Sequence, residues 1–230
     1  MSAQPNRSYV GLRPEIYSRV PTEALRILDV GASDGTLGAF LLEQNPARAV
    51  YGVEADRNLA RTAAERLTGV AQVDAEALDW ASIGGRGSFD CIIFADVLEH
   101  LSDPWTVLAK ASRRLSPAGT VVISLPNIRH VSAAWSIFVG GSFPRRSRGV
   151  FDETHLRWFT LRDAKGLCAD AGLRVADADY NFRWFDRVGG VTNNVVGAQR
   201  WLRYVPVVRD FLGYQMVVVA EPESSMSGGG

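Results

Sequence analysis

The stretch from Arg26 to Gly38, RILDVGASDGTLG, decides the fold. An apolar run of strand character breaks into small residues and resumes as a helix-like pattern. Gly31, Gly35 and Gly38 follow the run, where a backbone must bend tightly and let a ligand lie against it. A dinucleotide-binding turn would read G-x-G-x-x-G, whereas the spacing here is G-x-x-x-G-x-x-G, with Ser33 in the middle. Two acids stand at this turn, Asp29 and Asp34. They would repel a pyrophosphate and suit an ammonium or sulfonium group, so the turn is expected to hold a ligand that is cationic where it meets the loop.

Outward from this turn, short β-branched runs alternate with longer helix-like segments: LRILDV, TLGAFLLEQN, AVYGVEA, RNLARTAAERL, VAQVD, FDCIIFADV, PWTVLAKASRRL and TVVISLP. Such alternation predicts β-α-β units and a parallel sheet whose central strands are apolar on both faces. Right-handed crossovers then make a doubly wound α/β domain with helices on both faces. Asp56 is expected to cap the helix that follows it, Pro104 to open another, and SPAG before Thr120 to stop that one. After Pro126 the rhythm is lost, and residues 127–159 are rich in aromatics, glycine and arginine. An insertion at this place is expected to cover the binding crevice and the substrate in it. Alternation resumes with TLRDAKGLCADAG as a helix, LRVADADYNF as a strand, VVGAQRWLRYV as a helix-like segment and YQMVVVAE as a last strand. One domain is expected over residues 1–222, with 223–230 a disordered tail.

Composition narrows the function classes. The chain has 230 residues, 47% of them hydrophobic, with 25 basic residues against 25 acidic, so it carries no broad field for nucleic acid. Its two cysteines, Cys91 and Cys168, lie in apolar or helical segments, read as core residues and suit a reducing compartment. The start lacks the apolar stretch of a secretion signal, and no run of about 18 apolar residues occurs. A soluble, cytoplasmic protein without stable membrane insertion is expected, as monomer or homodimer.

Further acids sit where the next strands end. Glu54, about 20 residues beyond the turn, is placed to accept both hydroxyls of a ribose. Asp74, at the end of the following strand, is placed to accept from an exocyclic adenine amine, with Ala75 presenting a backbone amide. Each acid alone reads equally as a solvated loop residue; three of them at the carboxyl ends of successive strands point to a pocket.

The segments ILDVGASDGTLG, VYGVEAD, VAQVDAEAL, FDCIIFADVLEHLSDPWTVLAKASRRLSPAGTVVISLPN and GVFDETHLRWFTLRDAKGLCADAGLRV together resemble the successive motifs of class I S-adenosylmethionine-dependent methyltransferases. The likeness is to the group containing ubiquinone O-methyltransferases and small-molecule and sugar methyltransferases, and it covers roughly residues 9–185. Ala32 stands where the family often has Cys, and Ala118 where it often has a second Gly. The resemblance implies a Rossmann-like seven-stranded sheet of order 3-2-1-4-5-7-6 with the last strand antiparallel. It implies S-adenosylmethionine as cofactor, with S-adenosylhomocysteine as product. Asp29, Gly31 and Gly35 would cradle the methionine part, Glu54 the ribose, and Asp74 with Ala75 the adenine, with Ser33 and Ala55 also among the cofactor-binding residues. Ala95, Asp96 and Val97 would lie beneath it.

A sulfonium methyl is already activated, so an enzyme has to align the nucleophile and exclude water, while an alcohol or phenol must also lose its proton. DVLEHL offers Asp96, Glu99 and His100, and DETHLRWF offers Asp152, Glu153 and His155, among only three histidines in the chain. His155 is the expected general base, between aromatic walls such as Trp158 and Phe159; the competing reading is a structural histidine bonded to a backbone carbonyl. Asp96 and His100 complete the catalytic candidates. A divalent metal on Asp96, Glu99, His100 and His155 is an alternative, against a reading in which LEH is a cap and a packing contact. The basic run FPRRSRG, Phe143 to Gly149, would meet a phosphate or a membrane surface, or is simply a solvated loop. AQRWLRYVPVV reads as a substrate lid, an interfacial helix or packing on the sheet edge. The expected activity is O-methylation of a small-molecule hydroxyl on a sugar, glycolipid precursor, polyketide or quinone-like ring. RPE near the start and THLRWFT are shared with surface-polysaccharide methyltransferases and incline the reading to a saccharide. An NAD-dependent oxidoreductase, a catalytically inactive cofactor-binding module and an RNA methyltransferase are the competing classes, the last opposed by neutral charge.

Overall fold

The computed structural model describes residues 11–83, 88–182 and 205–223. Seven strands, β1 (Arg26–Val30), β2 (Ala49–Glu54), β3 (Gly69–Gln72), β4 (Phe89–Ala95), β5 (Leu115–Pro126), β6 (Leu173–Phe182) and β7 (Gly213–Pro222), form one sheet in the order β3-β2-β1-β4-β5-β7-β6. The first five are parallel, and β7 runs antiparallel to both β5 and β6. The expected order is the one formed. Around the sheet lie α1 (Pro14–Tyr17), α2 (Thr36–Gln44), α3 (Arg57–Ala64), α4 (Pro104–Ser112), α5 (Val131–Ala134), α6 (Leu161–Asp170) and α7 (Pro206–Leu212).

The strand pattern explains the two-faced core. Leu28, Ile92, Phe94, Val121 and Ile123 point to one face, with Val107 and Leu108 of α4 and Leu167 of α6 packed on them. Their neighbours Ile27, Cys91, Ile93 and Val122 point to the other, under Ile16 of α1 and Leu37 and Leu41 of α2. Alternate residues of a strand face opposite ways, so central strands covered twice must be apolar throughout.

Local chemistry sets most helix boundaries. Asp56 Oδ1 accepts from the amides of Asn58 at 2.8 Å and Leu59 at 3.0 Å, and Asp103 caps α4 through the Thr106 amide at 3.0 Å, directly before Pro104. Thr160 and Asp163 form a reciprocal capping box at the start of α6.

SPAG does not stop a helix. The helix α4 ends at Ser112, and the Arg114 amide closes on the Ala111 carbonyl at 2.8 Å. Ser116 to Gly119 instead bulge from β5, where pairing with β4 steps from Phe89–Leu115 to Cys91–Thr120. Leu115 is buried, so the chain has already returned to the sheet before that stretch begins.

The insertion leaves β5 at its carboxyl end, on the rim where the β1 turn also lies. It carries a small core of its own, Ala133, Val150 and Phe151 against Tyr214. Asn127 ties its root to the end of α7, donating through Nδ2 to the carbonyls of Asp210 and Gly213, both at 2.7 Å. The expected helix-like segment around residues 195–205 lies almost wholly outside the described residues, as does the tail from residue 224.

Candidate active site

A cavity of about 330 Å³ opens at the carboxyl ends of β1 to β4. Gly31, Ser33, Glu54, Ala55, Asp74, Ala75, Ala95, Asp96, Val97 and His100 line it, together with Val53, Leu59, Val73, Glu76 and Leu101. Sequence patterning does not single out the last five.

The wall on the β1 side is built from main chain. Gly31 bends back at φ +73°, its amide donating to the Val53 carbonyl at 2.8 Å, and a side chain there would meet Val97 Cγ2 at 2.5 Å. Ser33 is left-handed at φ +51° and donates its amide to Glu54 Oε2 at 2.8 Å, while the Asp56 amide donates to Glu54 Oε1 at 2.8 Å. Glu54 is thus pinned between the glycine turn and the head of α3 before any ligand arrives. Asp74 Oδ1 accepts from the Glu76 amide at 2.8 Å, and Glu76 in turn accepts from the Asp103 amide at 2.8 Å.

Asp29 and Gly35 lie behind this wall. Asp29 is buried on β1, and its carboxyl is pushed up to about 7 by burial first and by neighbouring Glu54, with Arg13 pulling the other way. Gly35, at φ +79°, begins α2 where a side chain would come within 2.9 Å of the Ala63 Cα, so it permits the close approach of α3. Asp34 does not present an open charge to the turn. It pairs with Arg66 Nη1 at 2.7 Å and accepts from the Thr36 amide at 3.1 Å. Burial raises its carboxyl, but the bonds from Thr36 and Arg66 outweigh that and hold it below the usual range.

Asp96 ends β4 in a left-handed turn at φ +57°, rare for a residue with a side chain. Its carboxylate is clamped: Arg13 Nη1 reaches Oδ2 at 3.0 Å, Ser124 Oγ donates to Oδ1 at 2.6 Å, and Gln215 Nε2 donates to the same oxygen. Arg13 also pairs with Glu15 at 2.6 Å; burial favours losing its proton, yet Asp96 and Glu15 together hold the guanidinium firmly charged. RPE marks Arg13 in the sequence, whereas nothing local points to Ser124 or Gln215 as its co-workers.

On the opposite side stand Glu99, His100 and His155. Each offers one donor atom within 4.8 Å of the others. The rings of His100 and His155 meet edge to face at 4.8 Å. Residues 152–157 wrap this corner, Leu156 and Arg157 donating their amides to the Glu99 carbonyl at 2.9 and 3.0 Å. Both carboxylate oxygens of buried Glu99 lack a hydrogen-bond partner, and burial, then Asp96, pushes that carboxyl well above the usual range. His155 Nδ1 lies 3.2 Å from the Val150 carbonyl, which places its proton there. Its buried Nε2 has no partner, and burial, then His100, holds the ring below the ordinary histidine value and so neutral.

The expected four-ligand metal set is not assembled. Only Leu98 to His100 form a helical turn, of 3-10 type, and Asp96 precedes it in the left-handed conformation with its charge taken by Arg13. Three of the four candidates are together and Asp96 faces elsewhere. Nor do both aromatic walls stand at the cavity. Phe159 is packed in the main core, and Trp158 donates its Nε1 to the Val150 carbonyl at 3.0 Å.

The cavity residues suit an adenosyl group. Leu59, Val73, Val97 and Leu101 offer apolar faces, Glu54 and Asp74 offer acceptors, and the buried Ser33 hydroxyl has no protein partner. A family model described as a methyltransferase domain matches residues 8–178. An uncharacterized 37.1 kDa protein in transposon TN4556 of Streptomyces fradiae is 31% identical over 93% of this chain and 66% of its own length. A ubiquinone biosynthesis O-methyltransferase of Parvibaculum lavamentivorans is 32% identical over 68% of this chain and 62% of its own length. The chain therefore spans just under two thirds of these relatives. A SAM-dependent methyltransferase of Archaeoglobus fulgidus superposes with a TM-score of 0.64 over 90% of each chain at 16% identity, a likeness of fold.

Proposed function

The chain belongs to the methyltransferase-domain family, the class I S-adenosylmethionine-dependent methyltransferases, and from that premise we propose that it methylates a hydroxyl of a small molecule. The acceptor is a sugar, glycolipid precursor, polyketide or quinone-like ring. One observation carries the reading: a neutral, buried histidine with an unpartnered Nε2 lies against a second histidine that lines the cofactor cavity.

Bound in the cavity, S-adenosylmethionine supplies a methyl on a positively charged sulfur and leaves as S-adenosylhomocysteine. Glu54 and Asp74 orient the nucleoside, and the bend at Gly31 lets the backbone lie close to it. His155 takes the hydroxyl proton at Nε2, with the Val150 carbonyl holding the Nδ1 proton and so the tautomer. His100, whose ring meets that of His155 edge to face, forms the cavity wall beside the base. Asp96 does not act as a base; tied to Arg13, Ser124 and Gln215, it shapes the floor beneath the cofactor. The low dielectric of this corner favours a step in which an alkoxide and a sulfonium lose their charges together.

A divalent metal is the second reading, favoured by the unpartnered Glu99 oxygens beside His100 and His155. A metal there would supply Lewis acidity to the hydroxyl. Activity that survives exhaustive chelation rules it out.

The main test pairs calorimetry with S-adenosylhomocysteine and transfer of labelled methyl to a panel of hydroxyl and amine acceptors. Uptake of the nucleoside with label on hydroxyl acceptors is expected. Label on amines alone overturns O-methylation, and uptake without any transfer favours an inactive binding module.

A further inference from the structure

Trp135, Phe138 and Val139 recur at helical spacing in the π-helical turn Trp135–Val139 and are 66%, 84% and 62% exposed. A helix of a water-facing domain turns such a face inward, yet this one points out. Phe143, 52% exposed, extends the patch, and Arg145, Arg146 and Arg148 follow it, all exposed. From Val131 to Phe151 the sequence contains those three arginines and no acid. Apolar area of this kind marks an interaction site, and its rim, basic on balance with three arginines against exposed Glu153, which lies 3.8 Å from Arg145, tells what it meets.

We propose that this face docks the protein on an anionic lipid bilayer, with Trp135, Phe138, Val139 and Phe143 entering the headgroup boundary and the arginines pairing with lipid phosphates. Docking is peripheral, since no described helix is long and apolar enough to cross a membrane. Charge separates this partner from a second copy of the chain: two-fold pairing through the patch would set one net basic rim against another. The patch is also joined to the catalytic corner. The Phe143 ring meets Trp158 at 4.9 Å, Trp158 donates to the Val150 carbonyl at 3.0 Å, and that carbonyl holds His155, whose ring meets His100 in the cavity wall. The surface that meets the bilayer is therefore linked by direct contacts to the corner that holds His155.

Sedimentation of the full chain with vesicles tests this without any methyl transfer, so it stands or falls apart from the O-methylation reading. Binding to phosphatidylcholine vesicles that contain phosphatidylglycerol is expected, with little binding to phosphatidylcholine alone and weakening by added salt. Replacing Arg145 and Arg148 together by alanine weakens it roughly 30-fold, at about fivefold per arginine. Phe138→Ser weakens it about tenfold or more. Both variants keep their uptake of S-adenosylhomocysteine. No vesicle binding, or equal binding to neutral and anionic vesicles, overturns the proposal. So does a dimer in velocity sedimentation that Phe138→Ser dissolves while vesicles leave the protein unbound, which would make a second copy the occupant.

Discussion

At the end of β2 the carboxylate of Glu54 accepts from two main-chain amides within 21 residues of it, whereas across the cavity that of Glu99 accepts from none. The first side is preorganised by turns, with Glu54 and Asp74 already oriented by main-chain amides. Its counterpart is assembled from distant segments: His100 meets the Thr154 carbonyl 54 residues away, and Glu99 and His155 keep buried atoms without partners. A buried polar atom left unpaired costs about 1–3 kcal/mol. Three such atoms gather in this one corner, against the single Ser33 hydroxyl on the other side, and under the proposed function the corner is where the proton is taken.

That contrast is broken most severely at His155. The variant His155→Ala is expected to lower turnover about a hundredfold or more while leaving the dissociation constant for S-adenosylhomocysteine within about twofold, since the two sides are built separately. Steady-state kinetics and calorimetry check both halves, and an unchanged turnover removes His155 from the mechanism.

Arg13 couples the sides through Asp96, so its loss should be felt as stability. Arg13→Ala leaves a mostly buried carboxylate without its cation, costing about 3 kcal/mol or more in urea unfolding. Asp96→Asn in the same chain should return much of that, because the neutral amide no longer needs the guanidinium. Failure of the double variant to recover would place the cost in packing instead.

Asp29 yields a pH signature on the cofactor side. Its carboxyl is pushed up to about 7 in the folded protein against an ordinary 3.8, so the folded state holds the proton more tightly than the unfolded chain. The stabilisation is fully present below the lower value and lost as pH rises through the higher one, at up to about 1.4 kcal/mol per pH unit. Unfolding free energies between those limits should fall less steeply for Asp29→Asn than for the parent. Equal slopes would show that another group titrates.

Helix caps should not distinguish the two regions. Asp56→Ala on the cofactor side and Thr160→Ala beyond the insertion each remove bonds to neighbouring amides, and each should cost about 1 kcal/mol. A much larger loss at Thr160 would mean that α6 also holds the catalytic corner.

The chain alone named most of the residues that line the cavity and both histidines of the facing corner, but not the contacts that bring Glu99, His100 and His155 together. Gly31, Glu54 and Asp74 announce themselves because strand period, glycine spacing and terminal acid lie within a few residues of one another. Asp34 misleads, since the pattern shows its charge but not Arg66, 32 residues on, which pairs with it. The metal set of four misleads likewise, because i, i+3, i+4 spacing serves only where a helix forms, and a left-handed Asp96 precedes the turn.

Sequence by itself determined the alternation of strands and helices, the two-faced core, the capped helix starts and the acids on the rim, all of them encoded by hydrogen bonds and periodicities of short reach. Tertiary structure alone decided that Asp29 is buried behind the wall, that Arg13 and Gln215 clamp Asp96, and that His155 lies on His100. Those contacts join segments as much as 119 residues apart, as Gln215 and Asp96 are, and they exist only once the sheet has closed the intervening chain into register.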